Sequence, residues 1–468
     1  MKKNLLKLLG LLFTIVMCTS FSSCGGDDND DPTVPEKPIN PVEPSKDNAK
    51  SSLEQKEYLE TVALEFMDMM PSSDFREMGE LAKFIKDNYC DRYNWNNVEN
   101  WANDAFEAAR EAVGAKSTES KTKWGVTYNY IYTNYNAVLL ASNFTGHFTA
   151  RNGRWFFEKA DDLQFFFTDK HGQECVLKLE TGGNVKKVYL LNIEDMKWSD
   201  YDSHDYYYDR TKCAIGVPER IVVSLTQGSS LVVRTTINID LGSITNEELD
   251  ISKNSITVSA LVELNNGYKF DVSRVVYTAN TKASVAFTMS KNGTPLVTLG
   301  VSADLYDIPS VNVSAFSSKS FNGKDYDFDS ANGKNAYVKL DILGKVQIQG
   351  TLLDVRKYID YLEEANNNNR SESTYKSYIN QANSIADINL FYDGNNVKQA
   401  AIKLEPFANE KWNGRTYWET EPVIFFYDGS LYSTFEAFFN EKDFKKVVET
   451  FKTLANKYAD IVDERIKW

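Results

Sequence analysis

In residues 231–241, LVVRTTINIDL, apolar and polar side chains alternate. The same pattern returns in Ile256–Leu264 (ITVSALVEL), Tyr268–Tyr277, Val285–Ser290 and Leu296–Leu305. A period of two sends successive side chains to opposite faces of a strand. Across these five runs one face is Val, Ile and Leu, and the other is rich in Ser, Thr and Asn. They therefore predict antiparallel sheet with one dry and one wet face. Asn266-Gly267 and Asn292-Gly293 fall between runs, where tight hairpin turns need residues that tolerate positive φ.

Upstream the pattern continues. Val126, Tyr128, Tyr130 and Tyr132 alternate with polar or smaller residues, followed by Trp155–Phe157, Leu163–Thr168, Val176–Leu179, Val188–Asn192 and Ile221–Leu225. Asn152-Gly153 and Gly182-Gly183 read as further turns, and Asp393-Gly394 and Asp428-Gly429 as turns in two later strand regions. The expectation is a long up-and-down meander. So many strands cannot stay flat, and twist should curl them into a trough or partial barrel.

Helical period brackets this sheet. Ser51 and Ser52 before Glu54 and Gln55 make a capping-box pattern. Three short helices are expected over 51–115: Leu59, Val62, Phe66 and Met70 in the first, a start at Ser73 for the second and at Asn97 for the third. The methionines here read as core filler. Residues 351–386 read as a helical hairpin broken at Asn366–Asn369, with Thr374, Tyr378, Ala382 and Ile385 as the second stripe. A last helix near 440–466 carries a face from Phe444 to Val462 that needs burial, most simply on the dry side of the sheet. The fold class is α+β: a small N-terminal helical segment, then a large curved antiparallel sheet packed by a helical hairpin and a C-terminal helix.

The first 50 residues are of another kind. Lys2, Lys3 and Lys7 precede an apolar run from Leu5 to Met17, too short for a stable spanning helix and shaped like a secretory leader. It ends in Phe21-Ser22-Ser23-Cys24. Two small residues before a cysteine resemble the lipobox of bacterial lipoproteins, with Phe21 where an aliphatic residue is usual. The resemblance implies a signal peptide over 1–23, cleavage before Cys24, and acylation of its thiol. Gly25-Gly26-Asp27-Asp28-Asn29-Asp30-Asp31 resembles the surface-export signal of lipoproteins from Bacteroidetes-type bacteria. It implies an outer-membrane protein held by its lipid, on the cell surface or, alternatively, on the periplasmic face. Pro32, Pro35, Pro38, Pro41 and Pro44 recur every third residue, the period of polyproline II, and read as a spacer in a 24–50 tether. The β-rich α+β body is then 116–468.

The chain of 468 residues carries a net charge of −14, or −17 without the three leader lysines. That excludes nucleic acid as a natural partner. No second long apolar run offers a transmembrane helix. Cys90, Cys175 and Cys213 remain beyond the leader, an odd number outside the cytoplasm. Cys175 and Cys213 either pair or stay buried as free thiols.

Candidate chemistry is sparse. Asp325, Asp327 and Asp329 begin a calcium-loop spacing, but Ser330 stands where glycine belongs and Ala336 where the closing glutamate belongs. Asp200, Asp202, His204, Asp205 and Asp209 surround Tyr206-Tyr207-Tyr208, a set of acids, an imidazole and rings fit to line a sugar cleft, or an exposed acidic loop. Trp412, Tyr417, Trp418 and Phe425-Phe426-Tyr427 form a late aromatic cluster, read either as core or as a carbohydrate platform. His147, His171 and His204 are the only histidines and lie far apart, against a zinc site or a histidine-based triad. No cofactor fingerprint occurs. The leading expectation is a non-catalytic surface protein binding glycan or peptide. The alternative is a carrier of an apolar ligand in the sheet's trough, and the third a hydrolase with two converging carboxylates.

Overall fold

The computed structural model describes residues 49–89, 92–113, 116–244, 248–250, 252–308, 332–410, 416–428, 433–434, 438 and 444–462. Three helices lead: α1 (Ser52–Asp68), α2 (Ser73–Tyr89) and α3 (Arg92–Ala108). The expected capping box opens α1. Glu54 N donates to Ser51 Oγ, and the Glu54 carboxylate accepts from Ser51 N at 2.8 Å. Helix α3 begins at Arg92, before the expected Asn97. Asn97 therefore lies inside the helix, where its amide donates to Trp155 O at 2.7 Å.

The first strands are β1 (Arg110–Ala112), β2 (Ser117–Lys123), β3 (Val126–Leu139), β4 (Gly146–Arg151), β5 (Arg154–Glu158) and β6 (Leu163–Thr168). Two very long strands follow, β7 (Glu174–Asp200) and β8 (Asp205–Gln227). Gly182-Gly183, expected as a turn, lies inside β7. Gly183 adopts φ +76° at a bulge between Gly182 and Val185, so the extra residue bends the strand without reversing it.

The meander then runs through β9 (Ser230–Asp240), β10 (Ile256–Leu264), β11 (Tyr268–Thr278), β12 (Lys282–Lys291), β13 (Thr294–Tyr306), β14 (Asn332–Ile342) and β15 (Val346–Asp354). After the hairpin α4 (Val355–Asn367) and α5 (Glu372–Ser384) it resumes with β16 (Ala386–Tyr392), β17 (Ala400–Glu410), β18 (Thr416–Phe426) and the short β19 (Ser433–Thr434). Helix α6 (Lys445–Val462) ends the described chain.

From β6 to β19 every strand pairs antiparallel with the next. The sheet is mainly antiparallel, open and curved. Register aligns the apolar row on one face and the polar row on the other. Ile239, Val258, Val275, Val285, Val301 and Val338 sit opposite one another in sequence across six strands, while Ser284 faces Ser302 and Thr288 faces Thr298 on the other side. Two parallel pairings depart from a pure meander: β4 with β6, and β3 with the first half of β8.

The helices cover the dry face in sections. Phe66, Met69, Met70 and Phe75 pack over Tyr268, Met289 and Leu296. Val447 and Val448 of α6 join Val62 of α1 over Val346, Leu390, Ile424 and Phe426, as the apolar stripe of the last helix requires. In α5 the buried residues are Tyr375, Ile379 and Ala382. Ala382 is shared with the expected stripe, but Tyr375 and Ile379 replace Thr374 and Tyr378 as the buried positions because they face Leu404 and Trp418, and Ile385 is the C-cap. Gln55 is buried at the foot of α1 and fully used: its amide donates to Lys50 O and Gln399 O, and its oxygen accepts from Tyr392 Oη at 2.9 Å. Cys175 and Cys213 are both buried and free, so no disulfide joins them; Cys90 lies outside the described residues.

Candidate functional site

The length of β8 creates the site. Its second half pairs with β9 and joins the meander, while its first half, Asp205–Ile215, lies beside β3 on the same edge. β3 carries β1 and β2 on its far side, and β7 flanks β8. The result is a wing of β1/β2, β3, β8 and β7 extending from the main sheet.

Register decides what this wing displays. Tyr130 sits beside Tyr206 and Tyr132 beside Tyr208, and partners at equal register share a face. The ring centroids are 5.6 Å apart in both pairs, 21° and 34° between planes. Tyr128 and Tyr206 are 6.2 Å apart. These are offset aromatic contacts, favourable beyond simple burial. Five tyrosines thus form a two-row ladder, half-buried except for the more deeply set Tyr132. Desolvation by its neighbours, then the surrounding phenols, pushes Tyr206 above the ordinary tyrosine range. Tyr132 is raised by desolvation first and by Glu119 and Glu194 next, so these hydroxyls stay protonated and able to donate.

Arg210 closes the inner end. Its guanidinium lies 3.8 Å from the Tyr132 ring centroid and pairs with Glu119 at 3.1 Å and Glu194 at 3.0 Å. At the outer end His204 meets Tyr128 edge-on at 5.3 Å, and Tyr201 meets Tyr206 at 6.4 Å. The β7–β8 turn is held by Asp200, whose carboxylate accepts from the amides of Asp202 and Ser203. Those amides, Ser203 first, keep Asp200 below the usual carboxylate range.

The tip presents large rings to water. Tyr201 is 74 % exposed and Trp124, in the β2–β3 turn, 84 %. Trp124-Gly125 adopts φ +52° and +79°. The same conformation occurs at Asn152-Gly153, Asn292-Gly293 and Asp393-Gly394, where the first residue is one that tolerates it, and at Leu343-Gly344, where Leu343 packs against the core. A tryptophan there is a costly choice, met by the Lys123 ammonium but by no burial, and such strain concentrates at functional sites. On the reverse face Trp198 stacks on Tyr207 at 3.8 Å and 11° with 54 % of its surface exposed, so one indole face is held and the other is open.

The strands of the wing are tied to one another on the reverse face. Arg110, the first residue of β1, is buried against the Tyr135 ring at 4.1 Å and pairs with Asp209 of β8 at 3.1 Å. Lys197 reaches the same carboxylate at 3.1 Å, which pushes the Lys197 ammonium up. Asp209 lies between the ladder residues Tyr208 and Arg210, so this buried pair fixes the strand that carries them.

Of the residues expected from sequence, Tyr206, Tyr208 and His204 come together on the ladder, and Asp202 is exposed in the adjoining turn. Asp205 to Asp209 is strand, not the acidic loop. Tyr417 and Trp418 lie elsewhere on β18. Trp418 packs against α4 and α5, with Lys376 4.7 Å from its ring, and Arg370 is 5.5 Å from Tyr417. Their cover is the helical hairpin. Trp412 and the trio Asp325, Asp327 and Asp329 lie outside the described residues.

Sequence reasoning missed Trp124, Trp198, Tyr201 and the site role of Tyr128, Tyr130 and Tyr132. A Trp-Gly pair at a hairpin position was the available signal for the first. Among the described residues no group of three metal-ligating side chains occurs. A groove beside α2 is lined by Phe84 and the charged side chains of Arg76, Glu80, Lys83, Asp87 and Lys457. No known protein family, curated protein or solved structure matches this chain.

Proposed function

We propose that the chain is a lipid-anchored outer-membrane protein, facing the cell exterior, that binds a glycan on the aromatic wing and performs no chemistry on it. The observation that carries this reading is the tip itself. Two large rings, Trp124 and Tyr201, stand in water at the outer end of a ladder of tyrosine hydroxyls, and Trp198 presents an open indole face on the reverse side. Sugar rings stack on aromatic faces through their C–H groups, while their hydroxyls exchange hydrogen bonds with polar tips, and aromatic side chains supply both at small conformational cost. A peptide ligand would also want a row of apolar pockets, and the ladder's close ring contacts leave little room for them.

Affinity electrophoresis of the mature chain against a panel of immobilised polysaccharides tests the binding. Retardation by at least one of them is expected, and no retardation by any would end the glycan reading. The leader motif supports the anchor. Cys24→Ala is expected to leave the envelope fraction, because acyl chains contribute about 0.8 kcal/mol per buried CH₂ and nothing else is proposed to hold the body there. Protease shaving of intact cells should remove the wild-type body. Full protection would instead favour the periplasmic side.

A further inference from the structure

We infer that the wing selects acidic glycans, those bearing carboxylate or sulfate groups; the inference rests on the glycan reading above. It comes from the outer strand of the wing. In β2, Lys121 lies opposite Tyr128 and Lys123 opposite Val126, so both lysines rise on the face that carries the tyrosine ladder. Lys121 Nζ lies 5.3 Å from the Tyr130 ring centroid and Lys123 Nζ 4.1 Å from that of Trp124. Both residues are exposed, and neither has a carboxylate partner among the described residues.

The nearest acid on the same strand face, Glu119, is committed to Arg210. Its other partner position, Tyr130, offers no charge. The acids of the tip lie on the far side of β3. Asp200 is spent on turn amides, Asp205 accepts from Asn129, and Asp202 is exposed in the β7–β8 turn two strands away. A chain of net charge −14 repels an anion at long range. Two ammonium groups without a carboxylate partner, one of them beside the exposed Trp124 ring, therefore make a local exception. A sugar ring on Trp124 would place an equatorial carboxylate or sulfate beside β2, where a charge-assisted hydrogen bond forms.

The test is retardation of the mature chain in gels containing polygalacturonate, heparin, dextran, xylan or poly-glutamate, for the wild type, for Lys121→Gln/Lys123→Gln, and for the corresponding double arginine variant. Both lysines are exposed, so the fold should survive, and circular dichroism checks this. Tighter binding to polygalacturonate or heparin than to dextran and xylan is expected. It should weaken about tenfold in the glutamine variant, return with arginine, and fall with added salt. Equal binding of neutral and acidic polysaccharides, untouched by the glutamine changes, would overturn the acidic preference and leave the glycan reading standing. Binding to poly-glutamate as tight as to the acidic polysaccharides would overturn the assignment to a sugar. Binding to none would overturn both.

Discussion

Asp209→Ala should destabilise the protein by about 3–5 kcal/mol, the usual cost of removing one member of a buried ion pair. The side chains of Arg110 and Asp209 are only 6 % and 11 % exposed. Without Asp209 the guanidinium keeps Glu107, which is largely in solvent, and the Tyr135 ring. Its Nε already lacks a hydrogen-bond partner in a buried position, so the site has no spare acceptor to compensate. Lys197 loses its carboxylate as well.

Urea unfolding measures the effect. Replacing both partners together, as Arg110→Met with Asp209→Leu, should cost far less than either single loss, because the desolvation penalty leaves with the charges. If Asp209→Ala unfolded at the wild-type midpoint, the pair would not be holding β1 to β8.

The second large effect concerns binding. Trp124→Ala and Tyr201→Ala should each weaken glycan binding about 30-fold, equivalent to ~2 kcal/mol, the scale of an aromatic anchor at a recognition surface. Both rings are so exposed that their removal should leave stability within about 0.5 kcal/mol of wild type, as for surface substitutions generally. Relief of the positive φ at position 124 makes Trp124→Asn a sharper probe. Asparagine occupies that conformation at two other hairpins of this chain, so Trp124→Asn should lose affinity while gaining or holding stability. Titration calorimetry beside thermal melts separates the two quantities. A Trp124→Asn protein that binds like wild type would show that the strained ring serves no ligand.

Much of the scaffold was legible because it rests on local signals. The alternation in Leu231–Leu241 and its successors fixes face and direction together, and Ser51 with Glu54 announces the first helix. Three features were not local. Gly182-Gly183 has turn chemistry, but the pairing of Cys175 with Gln227 and of Asp200 with Asp205 commits the chain to one continuous strand, and the glycines absorb a bulge. The buried face of α5 is set by what Leu404 and Trp418 offer beneath it, which no window of residues 372–384 contains.

The site illustrates the same limit. Tyr206 and Tyr208 could be named from the sequence, and so could the alternating Tyr128, Tyr130 and Tyr132, yet nothing in either stretch says that they are neighbours. Only the parallel register between β3 and β8, a long-range pairing absent from a simple meander, makes one ladder of them. Trp412, Tyr417 and Trp418 were equally aromatic on paper, and the difference for Trp418 is the helical hairpin that covers it.

The central claim is that ligand is received on the wing. Hydrogen–deuterium exchange of the mature chain, with and without the polysaccharide that retards it most, tests this directly. Slower exchange is predicted in residues 117–132 and 196–210, with β16 to β18 unchanged. Protection confined to the strand that holds Tyr417 and Trp418, with the wing exchanging as before, would contradict it.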